Sequence, residues 1–279
     1  MGCMNTTLIT GGTGKTGRRI AARLTERGIT VRLGSRAGRP PFDWHDRTTW
    51  EPALADVSAV YLAYAPDVSA PGAAGTLDAF ARLAVARGAR RLVLLSGRGM
   101  PSAVPAEDAV RGAGAESWTV LRASWFAQNF SEDFLLDGVR QGEFVLPAAE
   151  GVTEPFVDAD DIADVAVEAL TGPLPAHAGA TYELSSPRLL TFEEAAEELS
   201  AAAGREIRYR RADPRAYRTV LTEAGLLPAE AAFTADLFTD VLDGRNARVT
   251  DGVRAALGRA PRDFTDYVKE AAATGVWQG

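Results

Sequence analysis

Residues 9–17 read Ile-Thr-Gly-Gly-Thr-Gly-Lys-Thr-Gly, and the reading of this stretch decides the fold. It fits two nucleotide-binding patterns. A Walker-type loop needs Gly-x-x-x-x-Gly-Lys-Ser/Thr, so that a long glycine-started loop wraps the phosphates. Ile9 holds the place of that first glycine, inside an apolar strand, and Ser96-Gly97 follows the apolar run 92–95 where a magnesium-holding acid would be needed. The other pattern is strand, Gly-x-Gly-x-x-Gly, helix, supplied here in the right context by Gly12, Thr13, Gly14, Lys15, Thr16 and Gly17. In that reading Gly12 permits the tight turn, Gly14 lets backbone approach a diphosphate, and Gly17 lets helix pack on strand. The helix N-terminus then takes the anion. A tight turn with no ligand would carry the same glycines.

Outward from the turn, strand-like runs near 7–10, 30–33, 59–63, 91–95 and 118–121 alternate with amphipathic helical patterns over 15–27 and about 77–87. This alternation predicts an α/β fold, a Rossmann-type doubly wound parallel sheet with crossover helices. After about Phe144 the grammar changes. A helix opens at Asp158-Ala-Asp-Asp, a strand is expected near 181–184, Thr191 with Glu194 reads as a capping box, and another strand falls near 207–210. The expected organisation is a dinucleotide-binding domain over residues 1–145 and a smaller α/β substrate-side subdomain over 146–279, from which the sheet can also draw strands.

With 37 acidic against 30 basic residues, the formal charge is −7, which argues against a nucleic-acid partner needing a clustered basic face. The single cysteine, Cys3, makes no internal disulfide, and His45 and His177, the only histidines, give no zinc spacing, so no metal is expected. Both histidines read as solvated loop residues. There is neither an 18-residue apolar run nor a secretory start, so no membrane partner and a cytoplasmic location are expected. Met-Gly-Cys-Met-Asn-Thr formally satisfies the myristoylation pattern, but a strand starting near Thr7 leaves almost no tether. Monomer and homodimer both remain open.

The end of the second strand, Gly34-Ser35-Arg36, lacks the acid that usually holds the ribose diol of NAD. Arg36 can fork onto a 2′-phosphate and Ser35 can add a hydroxyl bond, which favours NADPH; a plain surface charge is the other reading of Arg36. The Tyr-x-x-x-Lys acid of many short-chain dehydrogenases is missing. The only lysines are Lys15 and Lys269, and neither has a tyrosine four residues before it.

ITGGTGKTGRRIAARL, the Gly-Ser-Arg strand end, VLLSG, WTVLRASWFAQNF and PFVDADDIADVA together resemble the NmrA-like, atypical short-chain dehydrogenases. Phe42-Asp43-Trp44, Thr49-Trp50, the run from Trp125 to Phe130 and the closing Val276-Trp277 resemble more narrowly the festuclavine-dehydrogenase type of ergot-alkaloid biosynthesis. Ala123 departs from the proline usual after the Leu-Arg pair. The resemblance implies a Rossmann domain holding NADPH, with nicotinamide near Tyr64-Ala65-Pro66 and Ser96-Gly97 and with Asp43 and Trp44 beside the adenine. Trp125, Phe126, Asn129 and Phe130 would then line a substrate cleft between the domains, although aromatics in such a run also serve as ordinary core. The implied activity is reduction of an imine, iminium, quinone or carbonyl group in a small aromatic, alkaloid-like or polyketide-like molecule of secondary metabolism; the same group contains NADP-sensing regulators without turnover. Tyr64 and Ser96 are the expected proton donors if one is needed, with Tyr64 as a pocket wall and Ser96 as a cofactor contact the alternative roles.

Overall fold

The computed structural model describes residues 6–278; Gly2 and Cys3 of the formal lipidation pattern lie outside them. In chain order the elements begin β1 (Thr6–Thr10), α1 (Lys15–Glu26), β2 (Thr30–Gly34), α2 (Trp50–Ala53), β3 (Val57–Leu62), α3 (Ala73–Ala86), β4 (Arg91–Gly97), α4 (Val104–Arg111) and β5 (Ser117–Ala123). There follow α5 (Asn129–Glu132), α6 (Leu136–Gln141), β6 (Glu143–Leu146), β7 (Thr153–Glu154), α7 (Ala159–Thr171), β8 (Ala180–Leu184) and β9 (Leu190–Thr191). The chain closes with α8 (Phe192–Ala203), β10 (Arg208–Arg211), α9 (Pro214–Glu223), α10 (Pro228–Val241), α11 (Gly252–Leu257) and α12 (Phe264–Ala273).

Two units interleave along the chain and do not meet at one boundary near residue 145. The first combines residues 1–123, Ala159–Leu184 and Asp251–Ala260; the second combines Ser124–Asp158, Ser185–Thr250 and residues from Pro261 onward. The first unit holds a wholly parallel six-stranded sheet in the order β2-β1-β3-β4-β5-β8. The strand foreseen near 181–184 is thus the sheet's sixth member, in register with β5 from Thr119 opposite Ala180 to Ala123 opposite Leu184. Strand order reverses at β1, with β2 on one side and β3 on the other. In open parallel sheets a ligand binds beyond the carboxyl ends of the strands at such a reversal.

Every residue of β1 is buried, as a central parallel strand covered on both faces requires. In α1, Thr16, Ile20 and Leu24 recur at helical spacing on the buried face. Arg19, Arg23 and Arg27 recur on another and pair with Asp160, Asp164 and Glu168 of α7, so matched i,i+4 rows join the two helices. His177 contradicts the expectation of a solvated loop. It is buried, with Nδ1 2.9 Å from the Tyr182 hydroxyl, and its carbonyl accepts from Thr119. His45 is exposed.

In the second unit, Phe130, Phe144, Phe156, Phe192 and Phe264 form a separate aromatic core. The Thr191–Glu194 capping box opens α8 with both reciprocal bonds, at 2.8 and 3.1 Å. Parallel β6 and β10 pair with each other, as do antiparallel β7 and β9. Among the described residues no helix is long and apolar enough to cross a membrane.

The carboxyl ends of β4 and β5 are pinned by a buried ionic group. Glu107 of α4 accepts two bonds from Arg122, at 2.9 and 2.7 Å, one from Arg111 at 2.8 Å, and one from Ser96 at 2.7 Å. Burial would raise its pKa, but the bonds from Arg122 and Ser96 and the charges of both arginines outweigh that and hold it below its ordinary value. A lowered carboxyl pKa contributes stability that is complete above the unfolded value of 4.5 and is lost as pH falls through the folded one. Glu107→Gln should therefore cost about 3 kcal/mol at pH 7, measured by urea unfolding, and the gap from the unsubstituted protein should narrow as the pH is lowered below 4.5. An unchanged gap across that range would contradict this role.

Candidate active site

The glycine turn is built by backbone contacts that leave no room for side chains. Gly11, with φ +63°, makes the left-handed step, so it is Gly11 and not Gly12 that lets the chain turn tightly. A Cβ on Gly12 would lie 3.0–3.1 Å from Leu33 and the Ile9 carbonyl, and one on Gly14 3.2 Å from the Gly11 carbonyl. On Gly17 it would lie 2.2 Å from that same carbonyl oxygen, a distance no Cβ tolerates. Gly14 N–H donates to Gly11 O at 2.9 Å, and α1 begins at Lys15 with no side-chain cap and no acid in its first turn. Thr13 and Gly14 are exposed, Lys15 is half-buried and Thr16 is buried. This uncapped, glycine-lined helix start fits a diphosphate, whose oxygens can take the bonds that capping side chains supply elsewhere.

At the end of β2 the Ser35 carbonyl accepts from Gly38 and Phe42, each at 2.9 Å, which curls the following loop back on itself. Arg36 and Arg39 are exposed and have no ion-pair partner among the described residues, whereas Arg19, Arg23 and Arg27 are committed to α7. Uncommitted guanidinium groups at this strand end suit a 2′-phosphate. Asp43 is spent locally. Its carboxylate accepts from His45 N–H and its carbonyl from the Trp50 indole, both at 2.9 Å. Trp44 lies in the core, its Nε1–H on the Ala63 carbonyl and its ring 5.0–5.1 Å from Phe42, Phe80 and Tyr64.

Tyr64, Ala65 and Pro66 follow β3, with Ala65 and Pro66 exposed and Tyr64 half-buried against Trp44. The Tyr64 hydroxyl makes no hydrogen bond among the described residues. Ser96 differs. Its hydroxyl proton is committed to the ionised Glu107, so Ser96 holds the strand end and is not placed to protonate a substrate. Gly97, the last residue of β4, is covered by Met100, whose sulfur would lie 1.8 Å from a Cβ built there.

In the second unit the expected substrate residues divide. Phe130 is completely buried in the aromatic core, and its carbonyl accepts from the Trp277 indole at 2.8 Å, so it belongs to the packing. Phe126, opposite Val157 in an isolated bridge, and Asn129, the first residue of α5, are half-buried. Trp125 is half-buried as well, and it heads a cluster that the sequence reading missed. Its ring lies 4.9 Å from Phe238 of α10 and 6.1 Å from Phe134, which is itself 5.1 Å from Phe238 and 42% exposed. The Trp125 Nε1–H is buried with no acceptor, an omission that costs free energy unless a ligand or water completes it. Phe134 was discoverable, lying nine residues after Trp125 in the same aromatic run. Phe238 gave no local sign, being one apolar residue in an alanine-rich helix.

The two units differ sharply in charge. The first carries 18 Lys and Arg against 16 Asp and Glu, a formal +2; the second carries 12 against 21, a formal −9. An anionic dinucleotide suits the first. Among the described residues no His, Cys, Asp or Glu group has the makings of a metal site.

No family model matches the chain. Agroclavine dehydrogenase of Claviceps fusiformis is 34% identical over 289 residues, covering 95% of this chain and 96% of the relative. An uncharacterized oxidoreductase of Bacillus subtilis, YesF, is 36% identical over 286 residues, covering 98% of each. Among solved structures, the triphenylmethane reductase of Citrobacter in complex with NADP(H) superposes with a TM-score of 0.72 at 20% identity, covering 95% of this chain and 99% of that one. The glycine turn, the parallel sheet and this likeness along nearly the whole chain lead to one conclusion: the chain belongs to the family of the agroclavine dehydrogenases and festuclavine synthases.

Proposed function

We propose that the protein is an NADPH-dependent reductase that directs hydride to a conjugated, positively charged C=N group of an aromatic or alkaloid-like small molecule, with quinones and conjugated carbonyls as further acceptors. The observation that carries this reading is the division of charge, +2 on the unit with the glycine turn and −9 on the unit with the Trp125–Phe134–Phe238 surface. Aromatic faces and a negative field both favour a flat organic cation, and each is indifferent or adverse to a small anionic substrate. Membership of a family of dehydrogenases supports turnover.

When bound, NADPH supplies the hydride. The N-terminus of α1 and the glycine turn hold its diphosphate, and Arg36 with Ser35 holds the 2′-phosphate. Tyr64, Ala65, Pro66 and Gly97 stand at the carboxyl ends of β3 and β4 and would hold the nicotinamide half. Trp125, Phe134 and Phe238 bind the substrate's ring, with Phe126 and Asn129 beside them in sequence. A cationic iminium carbon that receives hydride becomes a neutral amine, so no side chain has to donate a proton in the transition state. This accounts for a site with Ser96 tied to Glu107 and no Tyr-Lys pair. The Tyr64 hydroxyl remains available for acceptors, such as ketones, that do need a proton.

Arg36→Ala should weaken NADPH binding about tenfold or more and NADH binding less than about twofold, measured by calorimetry. Equal losses would remove the 2′-phosphate from the account. Tyr64→Phe should leave turnover of an iminium substrate within about threefold of the unsubstituted enzyme, and a hundredfold loss of kcat would make Tyr64 an obligatory donor.

A further inference from the structure

Tyr61 is a tyrosine that neither the glycine pattern nor the hydride chemistry uses. It lies in β3 opposite Ile9 of β1, completely buried, and its hydroxyl donates to Thr16 Oγ1 at 3.0 Å. Thr16 is the second residue of α1, inside the glycine turn. The strand holding Tyr61 is also tied to the end of β1, from which the turn departs, because Thr10 Oγ1 donates to the Tyr61 carbonyl at 3.0 Å and accepts from Ala63 N–H at 2.8 Å. The phenol and the threonine hydroxyl therefore have fixed relative positions.

We infer that Tyr61 is a positioning residue that orients the Thr16 hydroxyl as a hydrogen-bond donor to the cofactor's diphosphate. The inference rests on the NADPH reading above. Burial pushes the Tyr61 pKa well up, so the phenol keeps its proton, and Thr16 Oγ1 is its one acceptor among the described residues. A hydroxyl carries one proton and two lone pairs. With one lone pair occupied by Tyr61, the Thr16 proton is directed elsewhere, and among the described residues it meets no acceptor. An anion at the start of α1 supplies one, in a place where the glycines admit no side chain that could. Without Tyr61 no partner fixes the rotation of the threonine hydroxyl, and its bond to the ligand is weakened.

The test measures affinity by calorimetry, not turnover, for NADP+, for 2′-phosphoadenosine 5′-diphosphoribose and for adenosine 2′-monophosphate, which has no diphosphate. Tyr61→Phe and Thr16→Val should each weaken the first two ligands by roughly tenfold and leave the third unchanged. Thr16→Ser should keep unsubstituted affinity. The double variant Tyr61→Phe/Thr16→Val should lose no more than Thr16→Val alone, because Tyr61 acts through Thr16. Additive losses, an equal loss for adenosine 2′-monophosphate, or a loss confined to NADP+ would each overturn the proposed role. Unsubstituted protein that binds none of the three would overturn the cofactor reading itself, whereas normal binding by the Tyr61→Phe variant would overturn only the part given to Tyr61.

Discussion

The first helix leaves the glycine turn so tightly that Gly17 faces the Gly11 carbonyl oxygen with no space for even a methyl group. Much of the first unit's organisation follows from that contact. It fixes where α1 begins, so the helix start lies at the carboxyl end of β1 with no capping side chain. It also sets which face of α1 turns inward, and thereby leaves Arg19, Arg23 and Arg27 aligned with the acids of α7. Because α7 comes from far along the chain, a local steric requirement in the turn dictates how a distant segment returns to cover the sheet. Buried hydroxyls complete the frame: Thr10 ties β1 to β3, and Tyr61 ties β3 back to the turn.

Chemistry divides along the same line as packing. The first unit holds Glu107 in a satisfied buried group with Arg122, Arg111 and Ser96, and leaves Arg36 and Arg39 at the surface beyond β2. The second has a core with a cluster of phenylalanine rings at its centre and an excess of acids over bases. Its Trp125 indole, buried without an acceptor, is a polar group for which the fold alone gives no reason. The flat, cationic substrate proposed above would answer both features and would need no proton from an acid that the chain lacks.

The alternating pattern of strands and helices was legible because parallel strands buried on both faces are continuous apolar runs, and α1 carries a clear helical stripe. The need for glycine at position 17 was legible as helix packing on strand, whereas the structure shows the crowding atoms to be those of Gly11 and Gly12 in the turn itself. What stayed hidden was tertiary. The strand at 180–184 reads like any short strand, and nothing local says that it joins β5 and not a second sheet. Ser96 looked available because its partner, Glu107, sits eleven residues away on a helix, and a hydroxyl's commitment is set by what folds against it. Trp44 and Phe130 carried family-like positions, yet burial turned both into core, while Phe134 and Phe238 took the exposed edge of the aromatic cluster. His177 similarly became a buried partner of Tyr182 through strand β8.

The central claim is that hydride reaches a cationic acceptor in this protein without a proton donor. Single-turnover oxidation of NADPH, followed at 340 nm with N-methyl-3,4-dihydroisoquinolinium as acceptor and compared with 4-deuterated NADPH, tests it most directly. The account predicts a primary isotope effect and a rate that is flat from about pH 6 to pH 9, since no side chain must be protonated for the transfer. A rate that falls tenfold for each pH unit above a single ionisation, or no NADPH oxidation at saturating acceptor, would contradict it.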